Sequence, residues 1–210
     1  MSLRNKSILL IILILILDQA VKIWIKTHMV IGDEYSVFGN WFIIHFTENN
    51  GMAFGMEFWG KFGKLFLSLF RVAAIGLIGY YVYQLIKQKA STGLVLGISA
   101  ILAGALGNLI DSAFYGLIFS DSFTEIAKFF PAGGGYASFL HGRVVDMLYF
   151  PIIDTSYPHW FPWVGGQHFV FFSPVFNLAD SAITSGVFYL LIFQRKVLLG
   201  TANKKKEEVK

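Results

Sequence analysis

Asp18, Lys22, Asn49, Asn108, Asp111, Asp146, Asn177 and Asp180 are polar side chains set in or beside long apolar runs. An ionisable group inside a membrane span costs a few kcal/mol on insertion scales, so it normally faces a protein interior where it has a task. Asp18 and Lys22 are four residues apart, Asn108 and Asp111 three, and Asn177 and Asp180 three, so each pair shares one helical face. Carboxylates brought close can share one proton, because like charges resist joint ionisation; one then activates water while the other protonates a leaving nitrogen. Such a pair can cut an amide without a nucleophilic side chain. The same residues also suit plainer work, as a structural ion pair, as hydrogen-bonding glue between helices or as a proton relay.

Other chemistries find no support. The chain has no cysteine, which removes disulfides, thiolate metal sites and a cysteine nucleophile. His28, His45, His141, His159 and His168 lack paired ligand spacing, and neither an H-E-x-x-H nor a G-x-S-x-G motif is present, so no metal and no cofactor is expected.

The elements that must position these groups follow from composition. Of 210 residues, 55% are hydrophobic and 14% charged, against about a quarter charged in soluble domains. Four stretches approach the roughly 20 apolar residues that cross a bilayer: 7–25, 65–86, 93–111 and 173–193. No small-x-small cleavage site follows the first, and Asp18, Gln19 and Lys22 continue it, so it is expected to be an uncleaved span. More than half of the Lys and Arg lie at the N-terminus, in the connection after the second span and in the tail from Arg195. That bias places both termini in the cytoplasm and argues against a nucleic-acid surface. Segments 26–64 and 112–172 then face outside, and all five tryptophans (Trp24 at the outer end of the first span, Trp41, Trp59, Trp160 and Trp163) fall on that side as an interfacial belt. Residues 35–38 and 41–46 flank Gly39 and Asn40 as a β-type hairpin. Pro131, Gly133 to Gly135, Pro151, Pro158 and Pro162 predict irregular loops around one apolar run, 144–150.

The expected fold is therefore an all-α polytopic membrane protein, a four-transmembrane-helix bundle with a small β-type outer-face subdomain and irregular outer loops. Residues 1–199 form a single membrane domain and 200–210 a basic cytoplasmic tail. The first span runs outward, the third outward and the fourth inward, which brings the polar groups of three helices and two loops together near the outer membrane face. Asp121 and Asp154, in loops without a local motif, are expected to be solvated.

Five blocks carry a family resemblance. Asp18-Gln19-Ala20-Val21-Lys22 resembles the D-Q-x-x-K block of lipoprotein signal peptidases (signal peptidase II), and Asn49-Asn50-Gly51-Met52-Ala53-Phe54 their N-x-G-x-A-F block. Gly104 to Asp111 is similar to their G-G-x-x-G-N-x-x-D-R block, while Val144-Val145-Asp146 and Phe176 to Ser181 resemble the two blocks that each supply a catalytic aspartate. The resemblance implies a membrane aspartic endopeptidase of the bacterial cytoplasmic (inner) membrane. It would cleave diacylglyceryl-modified prolipoproteins N-terminal to the lipidated cysteine, with membrane lipid as its surroundings, no nucleic-acid partner and a monomeric state. Asp146 and Asp180 would be catalytic. Asp18, Lys22, Asn49, Gly51, Asn108, Asp111 and Asn177 would order the dyad or hold substrate. One departure is Ser112, where the family has Arg; Arg143 or Arg71 is expected to supply that cation. The alternatives are a small ion-coupled transporter, disfavoured because no repeat with broken helices is visible, and a non-enzymatic membrane assembly factor.

Overall fold

A computed structural model describes residues 1–50, 60–171, 174–195 and 197. Helix α1 (Leu3–His28) starts at Ser2, whose Oγ accepts the Asn5 amide. It buries Ser7, Asp18, Lys22, Ile25 and Lys26, a stripe at helical spacing, and turns Leu9, Leu13, Ile16 and Leu17 outward. Helix α2 (Gly60–Lys87) is likewise exposed at Phe66, Phe70 and Leu77. Helix α3 (Thr92–Ile110), capped by Ser91, packs between α1 and α5 (Leu178–Phe193). Two glycines permit that approach: a Cβ on Gly104 would lie 2.2 Å from the Ala179 carbonyl oxygen, and one on Gly107 2.7 Å from the Asp18 carboxylate.

The third apolar segment runs further than its predicted end at 111. A π-helical turn, Asp111–Tyr115, and a last α turn, α4 (Gly116–Ile118), extend it. Leu3–His28, Gly63–Lys87 and Thr92–Ile118 are long and apolar enough to cross a membrane, whereas α5 has 16 residues, about 24 Å of rise.

The two long connections contain more sheet than the sequence predicts. The hairpin is present as β1 (Glu34–Phe38) and β2 (Phe42–Asn49), turning at Gly39. Residues 144–149, expected as an isolated run, form β3 (Val144–Tyr149), which pairs with β2 on one side and β6 (Val175–Phe176) on the other in a β1-β2-β3-β6 sheet. A second hairpin, β4 (Ile153–Ser156) with β5 (His168–Phe171), occupies part of 151–172, where irregular loop was expected. One sheet face rests on a core that includes Ile25, Phe46, Tyr115, Phe119, Val145 and Met147. A separate apolar cluster of Val82, Leu94, Val95, Leu102 and Leu190 joins the helices.

Candidate active site

Asn177 is the N-cap of α5, and Asp180 completes a capping box with it. The Asp180 amide donates to Asn177 Oδ1 (2.9 Å) and the Asn177 amide to Asp180 Oδ2 (3.4 Å). This satisfies orphan donors of the first turn and holds the Asp180 carboxylate at the helix mouth. Asn108 Nδ2 donates to the other oxygen, Oδ1, at 2.8 Å. Because β6 pairs Phe176 with Leu148 and runs directly into Asn177, the sheet delivers the start of α5 to the side of β3.

Asp146 arrives from β3, which pairs Thr47 with Asp146 and Asn49 with Val144. Side chains alternate along a strand, so Val145 and Met147 enter the core while Asp146 turns toward α5. Asn177 Nδ2 donates to Asp146 Oδ1 at 2.7 Å, and Asn49 Nδ2 donates to Oδ2. Asn177 also reaches Asn108 Oδ1 (3.1 Å) and the Val145 carbonyl (3.2 Å). Burial, then the charge of Asp180, push the Asp146 carboxyl up to about 7 against the stabilising Asn177 hydrogen bond. A cavity of about 400 Å³, lined by Phe176, Asp180, Ser181, Thr184 and Ser185, opens beside Asp180. Thr184 and Ser185 are exposed on the surface of α5.

Beneath the carboxylates lies a buried ionic scaffold. Lys22 Nζ contacts Asp18 Oδ2 (2.9 Å), Asp111 Oδ2 (2.8 Å) and Asn108 Oδ1 (3.0 Å), filling its three donors. Each acid holds one backbone amide: Asp18 Oδ1 accepts from Ala179 (2.9 Å) and Asp111 Oδ2 from Val145 (3.2 Å). Those amides belong to the residues immediately before Asp180 and Asp146. Gln19 Nε2 donates to Asp18 and Asp111, both at 3.0 Å, and its Oε1 accepts from Tyr115 at 3.2 Å.

The geometry separates the two arginines. Arg71 Nη1 donates to Ser112 Oγ at 3.2 Å, and its guanidinium lies in the field of Asp180, Asp111 and Asp146. Arg143 instead pairs with Glu48 and Asp121, each at 2.7 Å; the Asp121 side chain is solvent-exposed as expected, and is an ion-pair member as well. Gly51 lies outside the described residues; Asn50, beside it, accepts from Lys64 Nζ at 2.9 Å. Sequence reasoning gave no role to Gln19 or Tyr115. A signal was present: Gln19 follows Asp18 on a span, and Tyr115 lies one helical turn beyond Asp111.

The chain matches the family model described as Signal peptidase (SPase) II over residues 10–195. It is 52% identical over 198 residues to a lipoprotein signal peptidase of Porphyromonas gingivalis, covering 93% of this chain and 86% of that protein. It is 37% identical over 187 residues to one from Amoebophilus asiaticus, covering 88% and 75%. A solved bacterial membrane enzyme superposes with a TM-score of 0.58 at 27% identity, covering 95% of this chain and 92% of that one.

Proposed function

Because this chain belongs to the signal peptidase II family, we propose that it is a membrane-embedded aspartic endopeptidase releasing signal peptides from diacylglyceryl-modified prolipoproteins. The observation that carries the aspartic mechanism is the sharing of Asn177. Its side chain donates to Asp146 and its backbone amide to Asp180, which binds a carboxyl from an outer strand to one from a helix mouth. In the state of the pair with Asp146 protonated, Asp180 takes a proton from water as the hydroxide oxygen bonds to the scissile carbonyl carbon. Asp146 then protonates the leaving nitrogen as the C–N bond breaks. The products are a signal peptide ending in a carboxylate and a lipoprotein beginning with the lipidated cysteine.

The membrane setting follows the same logic. α5 serves as the fourth span, both termini are cytoplasmic, and the dyad sits near the outer face of the bacterial inner membrane. Access from the exposed α5 surface at Thr184 and Ser185 lets acyl chains remain in lipid while the peptide bond reaches the carboxylates. Purified monomeric protein in detergent should therefore cleave a lipidated prolipoprotein and leave the same substrate with its lipobox cysteine replaced by serine intact. Equal cleavage of both, or of neither, defeats the proposal.

Arg71 is the cation that compensates for Ser112. It reaches the dyad's surroundings from α2, whereas Arg143 is engaged behind the sheet. Arg71→Ala is expected to lower kcat about tenfold or more, and Arg71→Ala with Ser112→Arg to recover most of that loss. Full activity of Arg71→Ala, or no recovery in the double variant, removes Arg71 from this role.

A further inference from the structure

On the side of the sheet opposite the dyad lies a second buried ionic cluster that the proposed reaction does not use. Lys26, from the last turn of α1, is 0% exposed; its Nζ pairs with Glu48 and donates to Ser122 Oγ at 2.9 Å. Glu48 is bound a second time by Arg143 Nε, and Arg143 Nη2 continues to Asp121. The Arg143 guanidinium lies over the Tyr136 ring, 4.3 Å from its centroid, and the Tyr136 hydroxyl accepts the Arg143 amide at 2.7 Å. Two cations and two acids balance. Burial resists ionisation of Asp121, yet the Arg143 guanidinium and the Phe123 amide hold its carboxyl below the ordinary carboxylate range.

Strand alternation ties this cluster to the dyad. Glu48 pairs across the ladder with Val145, and Arg143 precedes β3 on the same face as Val145. Their immediate neighbours, Asn49 and Asp146, are the hydrogen-bonded pair of the opposite face. Any slip of β2 against β3, or any tilt of the start of β3, thus moves Asp146 relative to Asp180. The ladder is irregular between Ile44 and Thr47, which leaves the regular pairing at this end only three residue pairs long, Thr47–Asp146 to Asn49–Val144. The segment 116–143 supplies Asp121, Ser122, Tyr136 and Arg143 to the cluster. Its backbone is strapped down by the Ile31 amide to Ser122, the Ala127 amide to Lys26 and the Ala137 amide to Gly116.

We propose that Lys26, Glu48 and Arg143, completed by Asp121 and Tyr136 from this strap, are positioning residues that fix from behind the β2–β3 alignment presenting Asp146 to Asp180. This rests on the dyad reading above. Buried ionic groups are poor sources of stability, because desolvation offsets their attraction; a bidentate guanidinium bridging Glu48 and Asp121 gains direction instead. Arg143→Lys keeps the charge but cannot bridge both acids, which separates geometry from net charge.

Two measurements test the inference. In cleavage assays Arg143→Lys should lower kcat about 10- to 100-fold, the scale of an ångström-sized misplacement, with KM within about twofold; Asp121→Asn, at the outer end, should do so to a smaller degree. Independently of activity, the protonated-carboxyl infrared band that disappears in Asp146→Asn should titrate at a different pH in Arg143→Lys than in the parent. Unchanged kcat and unchanged titration in Arg143→Lys overturn the inference, as does a proportionate loss of folded protein with the parent titration retained. A parent that cleaves nothing while its Asp146 band still moves in Arg143→Lys refutes the dyad reading and not the alignment role.

Discussion

Asp146→Asn and Asp180→Asn are each expected to reduce signal-peptide release below detection while leaving a folded, detergent-soluble protein. Neither amide can take a proton from water or give one to the departing nitrogen at the required step, and the pair works only as a unit. The structure also sets the pH dependence. Burial and the neighbouring Asp180 charge raise the Asp146 carboxyl to about 7, so Asp146 holds its proton below that value and loses it above. Cleavage by the parent should fall as pH rises through about 7, and a profile flat from 6 to 9 would contradict the shared-proton mechanism.

Stability has a linked signature. The native carboxyl titrates near 7 and an unfolded one near about 4, so proton binding by Asp146 favours the native state fully below about pH 4. That contribution shrinks as pH rises and is lost once pH passes through about 7. Asp146→Asn has no charge to bury, and a flip of the Asn49 amide can satisfy its nitrogen. Its thermal unfolding temperature in detergent should match the parent at low pH and exceed it at pH 8. A lower unfolding temperature than the parent at pH 8 would show that Asp146 is comfortably ionised where it stands.

How far the site was legible depended on whether its information was local. Asp18 with Lys22 read correctly as a pair because helical spacing alone brings them together, and the hairpin around Gly39 declared itself through its turn. Asn177 and Asp180 do meet, but through a capping box with Asn177 as the extended N-cap, because the helix begins at Leu178 and not at 173. Strand β3 did not, because its hydrogen-bonding partners lie about a hundred residues earlier, in β2, and some thirty residues later, in β6. Surrounded by glycine and proline, an unpaired apolar run of six residues is indistinguishable from loop. The π-helical continuation of α3 was hidden for another reason: Asp111 reads as a helix-end residue, and it is Lys22, Gln19 and the Val145 amide, all distant in sequence, that make its burial tolerable. The Glu48 and Asp121 partners of Arg143 come from different segments, so no spacing rule connects them.

Lys22→Met is expected to have the largest effect on the fold of any single substitution in the scaffold. Lys22 is 0% exposed and is the cation shared by Asp18 and Asp111, themselves 1% and 0% exposed. Removing it strands two like charges in a fully buried site, and breaking a buried pair in this way costs about 3–5 kcal/mol. The structural consequence falls on the dyad from both sides. Repulsion between Asp18 and Asp111 acts on the carboxylates that hold the amides of Ala179 and Val145, and Asn108 loses the ammonium that orients its Oδ1 while its Nδ2 serves Asp180. Lys22→Met combined with Asp111→Asn leaves a single buried charge, still served by Gln19 and Ala179, and should regain much of the unfolding temperature. Activity should stay at least about tenfold below the parent, because the carboxylate that held the Val145 amide is gone. Unfolding temperature and cleavage rate of Lys22→Met both equal to the parent would mean that the ammonium neither neutralises the two acids nor orders the aspartates above them.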